Sequence, residues 1–249
     1  MERYVQSLLA DQSGTVARPQ LVVRGIADHE IRRWVRRREL VRVHRGVFVD
    51  HTGGPTWLQN AWCAVLATSA FDDAGEPTGS ALARESALRL LDGPGSRIAE
   101  NVRMQVAIDN SRFISGPAEI ALERCRHLNE RVTYRSGLPC VRYEDALIDV
   151  APGVGRWDSF ALLANAVTGR KTTVARLAQA AERRNWMHQR DWFMQVVADI
   201  TNGTCSVLEK GFVTEVLRPH ALPRPRQQSR EVTPIGVVYR DSVFGGVVV

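Results

Sequence analysis

Read as a pattern of apolar and polar positions, the chain opens on Tyr4, Val5, Leu8 and Leu9, a helical spacing that predicts an amphipathic helix over residues 2–11. Ser13-Gly14 ends it. Residues 18–24 predict a second helix, with Pro19 in the first turn, where a missing amide hydrogen costs little, and Gly25 as its stop. Asp28 is placed to cap a third helix by accepting the unpaired amides of its first turn. In that helix Ile31, Trp34 and Val35 form an apolar stripe, and His29, Arg32, Arg33, Arg36 and Arg37 occupy the opposite side. Two short β-rich runs, residues 40–43 and 47–49, flank His44-Arg45-Gly46 and predict a hairpin.

Downstream the alternation changes period several times. Residues 55–71 predict a helix whose apolar side carries Trp57, Leu58, Ala61, Trp62, Val65 and Leu66, the two tryptophans reading as core rather than as base-stacking rings. Residues 80–91, rich in Ala and Leu and closed by Gly93-Pro94, predict another. Strands are expected at 102–108, 118–122 and 132–134, and Cys140-Val141-Arg142 leads into a helix over 143–150. From 157 to 200 the pattern is helical throughout, followed by a helix at 205–217, an extended Pro- and Arg-rich stretch (LPRPRQQSREVTP), a strand at 235–240, and three terminal valines that begin a further strand. The expected fold class is α+β in three parts. Residues 1–52 are expected to form a winged helix-turn-helix, 53–200 a mixed α/β region with a helical bundle, and 201–249 a separate C-terminal segment.

Composition adds little until charge is considered. The 249 residues carry a formal net charge of +6, and Lys171 and Lys210 are the only lysines, so arginine supplies nearly all the positive charge. A basic balance suits a polyanionic partner. The four cysteines, Cys63, Cys125, Cys140 and Cys205, match no metal or disulfide spacing and read as small buried thiols in a reducing compartment. With no signal-peptide pattern and no apolar run of membrane-spanning length, the expected location is cytoplasmic, without a membrane partner. Asp145 and Asp149, one helical turn apart, read as surface carboxylates, and His127 and His188 lack metal partners nearby, so no metal site is expected.

Helices followed by a hairpin, with an arginine face on the last helix, match a winged helix-turn-helix, which inserts that helix into the major groove of double-stranded DNA. Arg32, Arg33, Arg36 and Arg37, with His29, are therefore the candidates for base edges, where arginine pairs bidentately with guanine. Arg18 and Gln20 are assigned to phosphates, and Arg42, His44 and Arg45 on the wing to the backbone or minor groove.

The stretch TVARPQLVVRGI, then EIRRWVRRRELVRVHRGVF, resembles the N-terminal winged helix of AbiEi-type antitoxins of type IV toxin–antitoxin systems. The pattern L-x-R-V-x-R-G-V-F, Leu40 to Phe48, is its most specific part. Where that family commonly has glycine at the end of the recognition helix, this chain has Arg38. The resemblance implies a DNA-binding regulator that represses its own operon, with a toxin encoded nearby as partner; a homodimer on a palindromic site is a separate expectation, and docking of a toxin by the central helices is an alternative role. The C-terminal segment resembles part of a very-short-patch-repair endonuclease of the PD-(D/E)xK type, with Glu209 and Asp241 at the positions of two catalytic acids. The third acid would fall on the strand starting at Val247, where the sequence stops. Two acids hold Mg²⁺ poorly, so the segment is expected to be inactive, the chain not an enzyme, and no cofactor required; the alternative is a Mg²⁺-dependent endonuclease whose site is completed by residues beyond Val249 or by a partner chain.

Overall fold

Three short helices begin the chain: α1 (Arg3–Asp11), α2 (Arg18–Val23) and α3 (Asp28–Arg36). Between the first two lies β1 (Thr15–Ala17), which the sequence reading missed, and after the third comes the hairpin β2 (Val41–His44) and β3 (Val47–Val49). Described here from a computed structural model, the protein is defined over residues 3–96, 103–201, 211, 215, 217–221, 226–233, 236–244 and 247–248. β1 is too short to register as alternation, and all three of its residues are buried. It pairs antiparallel with β3, giving a three-stranded sheet in the order β1-β3-β2. Val5, Leu9, Val16, Leu21, Ile26, Ile31, Trp34, Leu40 and Phe48 close around one core, so these first fifty residues bury an apolar centre of their own. Gly14 turns the chain into β1 at φ +84°, a conformation strained for any residue with a Cβ.

The continuation is α4 (Trp57–Thr68), the short hairpin β4 (Ala70–Phe71) and β5 (Pro77–Thr78), then β6 (Ser80–Leu82), α5 (Arg84–Asp92), β7 (Met104–Asp109), β8 (Ile120–Cys125), α6 (Leu128–Arg131), β9 (Val132–Arg135), β10 (Leu138–Val141) and α7 (Tyr143–Val150). The helix expected at 80–91 is thus divided. Its first three residues are fully buried and pair on both sides, antiparallel to β7 and parallel to β10, before the helix starts at Arg84. Central position in a sheet overrides the helical preference of Ala and Leu. The five strands run in the order β8-β7-β6-β10-β9. α4 packs on β1 and β3 and also on β6 and β7, which is why Ala61, Trp62, Cys63, Ala64, Val65 and Leu66 are all buried. Its first residue, Trp57, is half-buried, with the Arg89 guanidinium 5.0 Å from its ring.

The chain separates into two compact units, residues 1–146 and 147–249, a division that falls inside the region the sequence reading treats as the central part. The second unit contains the end of α7, then α8 (Arg156–Thr168), α9 (Val174–Glu182), α10 (Arg190–Thr201), β11 (Arg226–Thr233), β12 (Gly236–Phe244) and β13 (Val247–Val248). α9 packs on α10, and the three strands form an antiparallel sheet with β12 in the middle. The Pro- and Arg-rich stretch therefore supplies a regular strand. The helix expected at 205–217 lies largely outside the described residues. The fold class is α+β.

Three cysteines, Cys63, Cys125 and Cys140, are buried free thiols, and burial pushes Cys63 and Cys140 up to about 12. Asp145 corrects the surface-carboxylate reading. It is 3% exposed and accepts from Arg131 Nε at 3.1 Å, while Asp149 accepts from Arg184. Among the described residues no helix is long and apolar enough to cross a membrane, and no cluster of His, Cys, Asp and Glu is placed to hold a metal ion.

Candidate nucleic-acid interface

α3 is built on Ile31 and Trp34, each 4% exposed, which anchor one side in the N-terminal core. Its cap differs from expectation. Ala27 occupies the N-cap, and the Glu30 carboxylate reaches back to accept the Ala27 amide at 3.2 Å. Asp28 sits inside the helix and its carboxylate is engaged elsewhere: Arg18 Nε and Nη2 donate to its two oxygens at 2.8 and 2.7 Å. That fork raises the Arg18 pKa and lowers that of Asp28, in each case chiefly through the hydrogen bond between them.

The far end of α3 closes through Arg38, whose φ of +58° lies in the left-handed region. The Glu39 amide donates to Trp34 O at 3.0 Å and the Arg38 amide to Val35 O at 3.1 Å, a Schellman closure made without glycine. The hairpin follows, with a bulge between Arg42 and His44 and a turn at Arg45-Gly46.

Between α3, the hairpin and the C-terminal end of α4 runs an open groove of about 1070 Å³. Arg32 and Arg36 reach it from α3, Arg42 and Arg45 from the hairpin, and Arg18 from the start of α2; all five are exposed. Its floor and far wall include Val35, Phe48, Leu66 and Phe71. His29 is exposed and lines the same groove. Residues 18–45 hold nine arginines against three carboxylates, a net +6 equal to that of the entire chain. The rest of the protein, with 24 basic and 24 acidic side chains, is balanced.

The four helical arginines do not act as one face. Successive residues on a helix are about 100° apart, so Arg32 and Arg36 share the groove while Arg33 and Arg37 fall outside its lining. The latter two stand 3.8 Å from Glu30 and Glu39 respectively, in exposed pairs of small energetic weight.

One assigned contact is corrected outright. Gln20 is fully buried. Its Oε1 accepts the Ala17 amide at 2.9 Å, and its amide exchanges hydrogen bonds with Gln12 at 2.7 and 3.0 Å, so it holds β1 against α2 and cannot reach a phosphate. His44 is half-buried and does not line the groove. Burial lowers its pKa, opposed more weakly by Glu119.

The sequence reading missed the Arg18–Asp28 fork and the apolar wall from α4 and β4. Neither leaves a periodic signal, because both are made by residues distant along the chain.

Glu209 lies outside the described residues. Asp241 falls on β12, the middle strand of the C-terminal sheet.

No protein-family model matches the chain, and no curated protein matches it. Among solved structures, the crystal structure of the Rv2827c protein from Mycobacterium tuberculosis is similar to this chain with a TM-score of 0.47 and 17% identity, over 93% of this chain and 88% of that one.

Proposed function

We propose that the N-terminal module is a winged helix-turn-helix and that the protein binds double-stranded DNA as a transcriptional regulator. α3 is the reading helix and the β2–β3 hairpin the wing. In this reading it represses its own operon in the manner of the AbiEi-type antitoxins that its N-terminus resembles, as a homodimer and with a toxin partner encoded nearby. The observation that carries it is the confinement of the net +6 to residues 18–45, with Arg32, Arg36, Arg42 and Arg45 exposed around one groove. Such a surface releases counterions from DNA, which makes affinity fall with salt. The helix-borne pair, Arg32 and Arg36, has the chemistry for guanine edges, and the wing pair for phosphates.

Electrophoretic mobility shift and fluorescence anisotropy on duplexes from the protein's own upstream region, repeated across salt concentrations, test the reading. Replacing Arg32 and Arg36 together by Ala should abolish sequence preference, while the loss of each phosphate-contacting wing arginine should reduce the log–log salt slope by about one. The Arg33→Ala, Arg37→Ala pair should retain the preference. Equal losses from both pairs, or no salt dependence in the wild type, would refute it. The chain acts here as a binding protein and not an enzyme. A Mg²⁺-dependent nicking assay with Asp241→Asn as control checks that point.

A further inference from the structure

We propose that Asp28 is a positioning residue for DNA binding, holding Arg18 so that the outer edge of its guanidinium grips a phosphate. The inference rests on the DNA-binding reading above and adds to it an acid that strengthens attachment to a polyanion.

Arg18 is fastened at both ends. Its main-chain amide donates to Gly46 O in the wing turn at 2.7 Å, and its side chain forks onto Asp28 in the first turn of α3. One residue thus joins wing, α2 and α3. A guanidinium has five N–H donors in a rigid plane. The fork uses Nε and one hydrogen of Nη2, and the edge formed by Nη1 and Nη2 has no partner among the described residues. That edge matches two phosphate oxygens. The Arg18 and Asp28 side chains are 51% and 47% exposed, so the pair adds little to stability as an ion pair. Both line the groove that Arg32, Arg36, Arg42 and Arg45 surround. Arg32 Nε in turn donates to Asp28 O at 3.2 Å, tying the helix-borne arginine to the same turn.

The proposal fixes a sign that simple electrostatics reverses. Removing a carboxylate from a DNA-facing surface should tighten binding through charge alone. If Asp28 instead spares Arg18 the entropy of being ordered on binding, its removal weakens binding.

The test uses the full chain and a labelled duplex enriched by the wild-type protein from a random library, with affinities read by anisotropy. Asp28→Asn should bind about three- to tenfold more weakly, with its thermal melt close to that of the wild type. Arg18→Lys keeps the charge but loses the fork, and it should weaken binding comparably. In an Arg18→Ala background the same Asp28→Asn change should tighten binding, leaving a non-additive cycle. Glu39→Gln, which removes an acid just beyond the C-terminal end of α3, should tighten binding in either background.

A folded Asp28→Asn protein that binds as well as or better than the wild type, or an Arg18→Lys protein with undiminished affinity, overturns the positioning role while leaving the DNA-binding reading intact. A wild-type protein that enriches no duplex overturns that reading, and the positioning role falls with it.

Discussion

Replacing Gln20 by Ala separates two roles that predict different measurements. A phosphate-contacting glutamine would be exposed, and its loss would weaken DNA binding with stability unchanged. The structure instead buries it completely, with Oε1 accepting the Ala17 amide at 2.9 Å and its side-chain amide paired with that of Gln12. Truncation leaves the Ala17 amide and Gln12 Oε1 without partners, while Gln12 Nε2 keeps its bond to Thr15 O at 2.9 Å. A buried polar group deprived of its partner costs about 1–3 kcal/mol. Two such groups, partly relieved by entering water, give an expected loss of about 2–4 kcal/mol. Urea denaturation followed by circular dichroism measures this as a lower midpoint, and hydrogen exchange at the Ala17 amide should accelerate in parallel. A Gln20→Ala protein within about 0.5 kcal/mol of the wild type, a range typical of surface substitutions, but impaired on DNA, would refute the buried assignment.

Other expectations are as direct. Arg38→Gly relieves a left-handed residue worth about 1–2 kcal/mol. Part of that gain is returned as unfolded-state entropy, so a net stabilisation of about 0.5–1 kcal/mol should appear as a higher melting temperature, whereas a lower one would mean the turn is unstrained. His44 sets a pH dependence. Burial holds its folded pKa below the ordinary value near 6.5, so the unfolded chain takes up a proton first and stability is lost as pH falls through and below that value. Denaturation midpoints measured between neutral and mildly acidic pH should fall in the wild type and fall less in His44→Asn. Identical slopes in the two proteins would count against the buried, neutral ring.

Much of the first fifty residues is legible from the chain alone. Ile31 and Trp34 are spaced for one side of a helix, and the β-rich runs on either side of Arg45-Gly46 leave room only for a hairpin, so α3, β2 and β3 emerge where the pattern puts them. These are local consequences of periodicity and sterics, which depend on neighbours three or four residues away.

What the pattern could not carry is every feature made by residues far apart in sequence. Ser80–Leu82 becomes a strand because β7 and β10 flank it, and β1 exists because β3 offers it partners. Gln20 and Arg18 are two residues apart on α2 and equally polar, yet one enters the core to satisfy Gln12 and the other meets Asp28 in solvent. A polar side chain's destination is set by which unpaired donor or acceptor tertiary packing places within hydrogen-bond reach. Sequence alone determined where helices and hairpin form and where positive charge accumulates, and the tertiary structure decided which of those side chains face the groove.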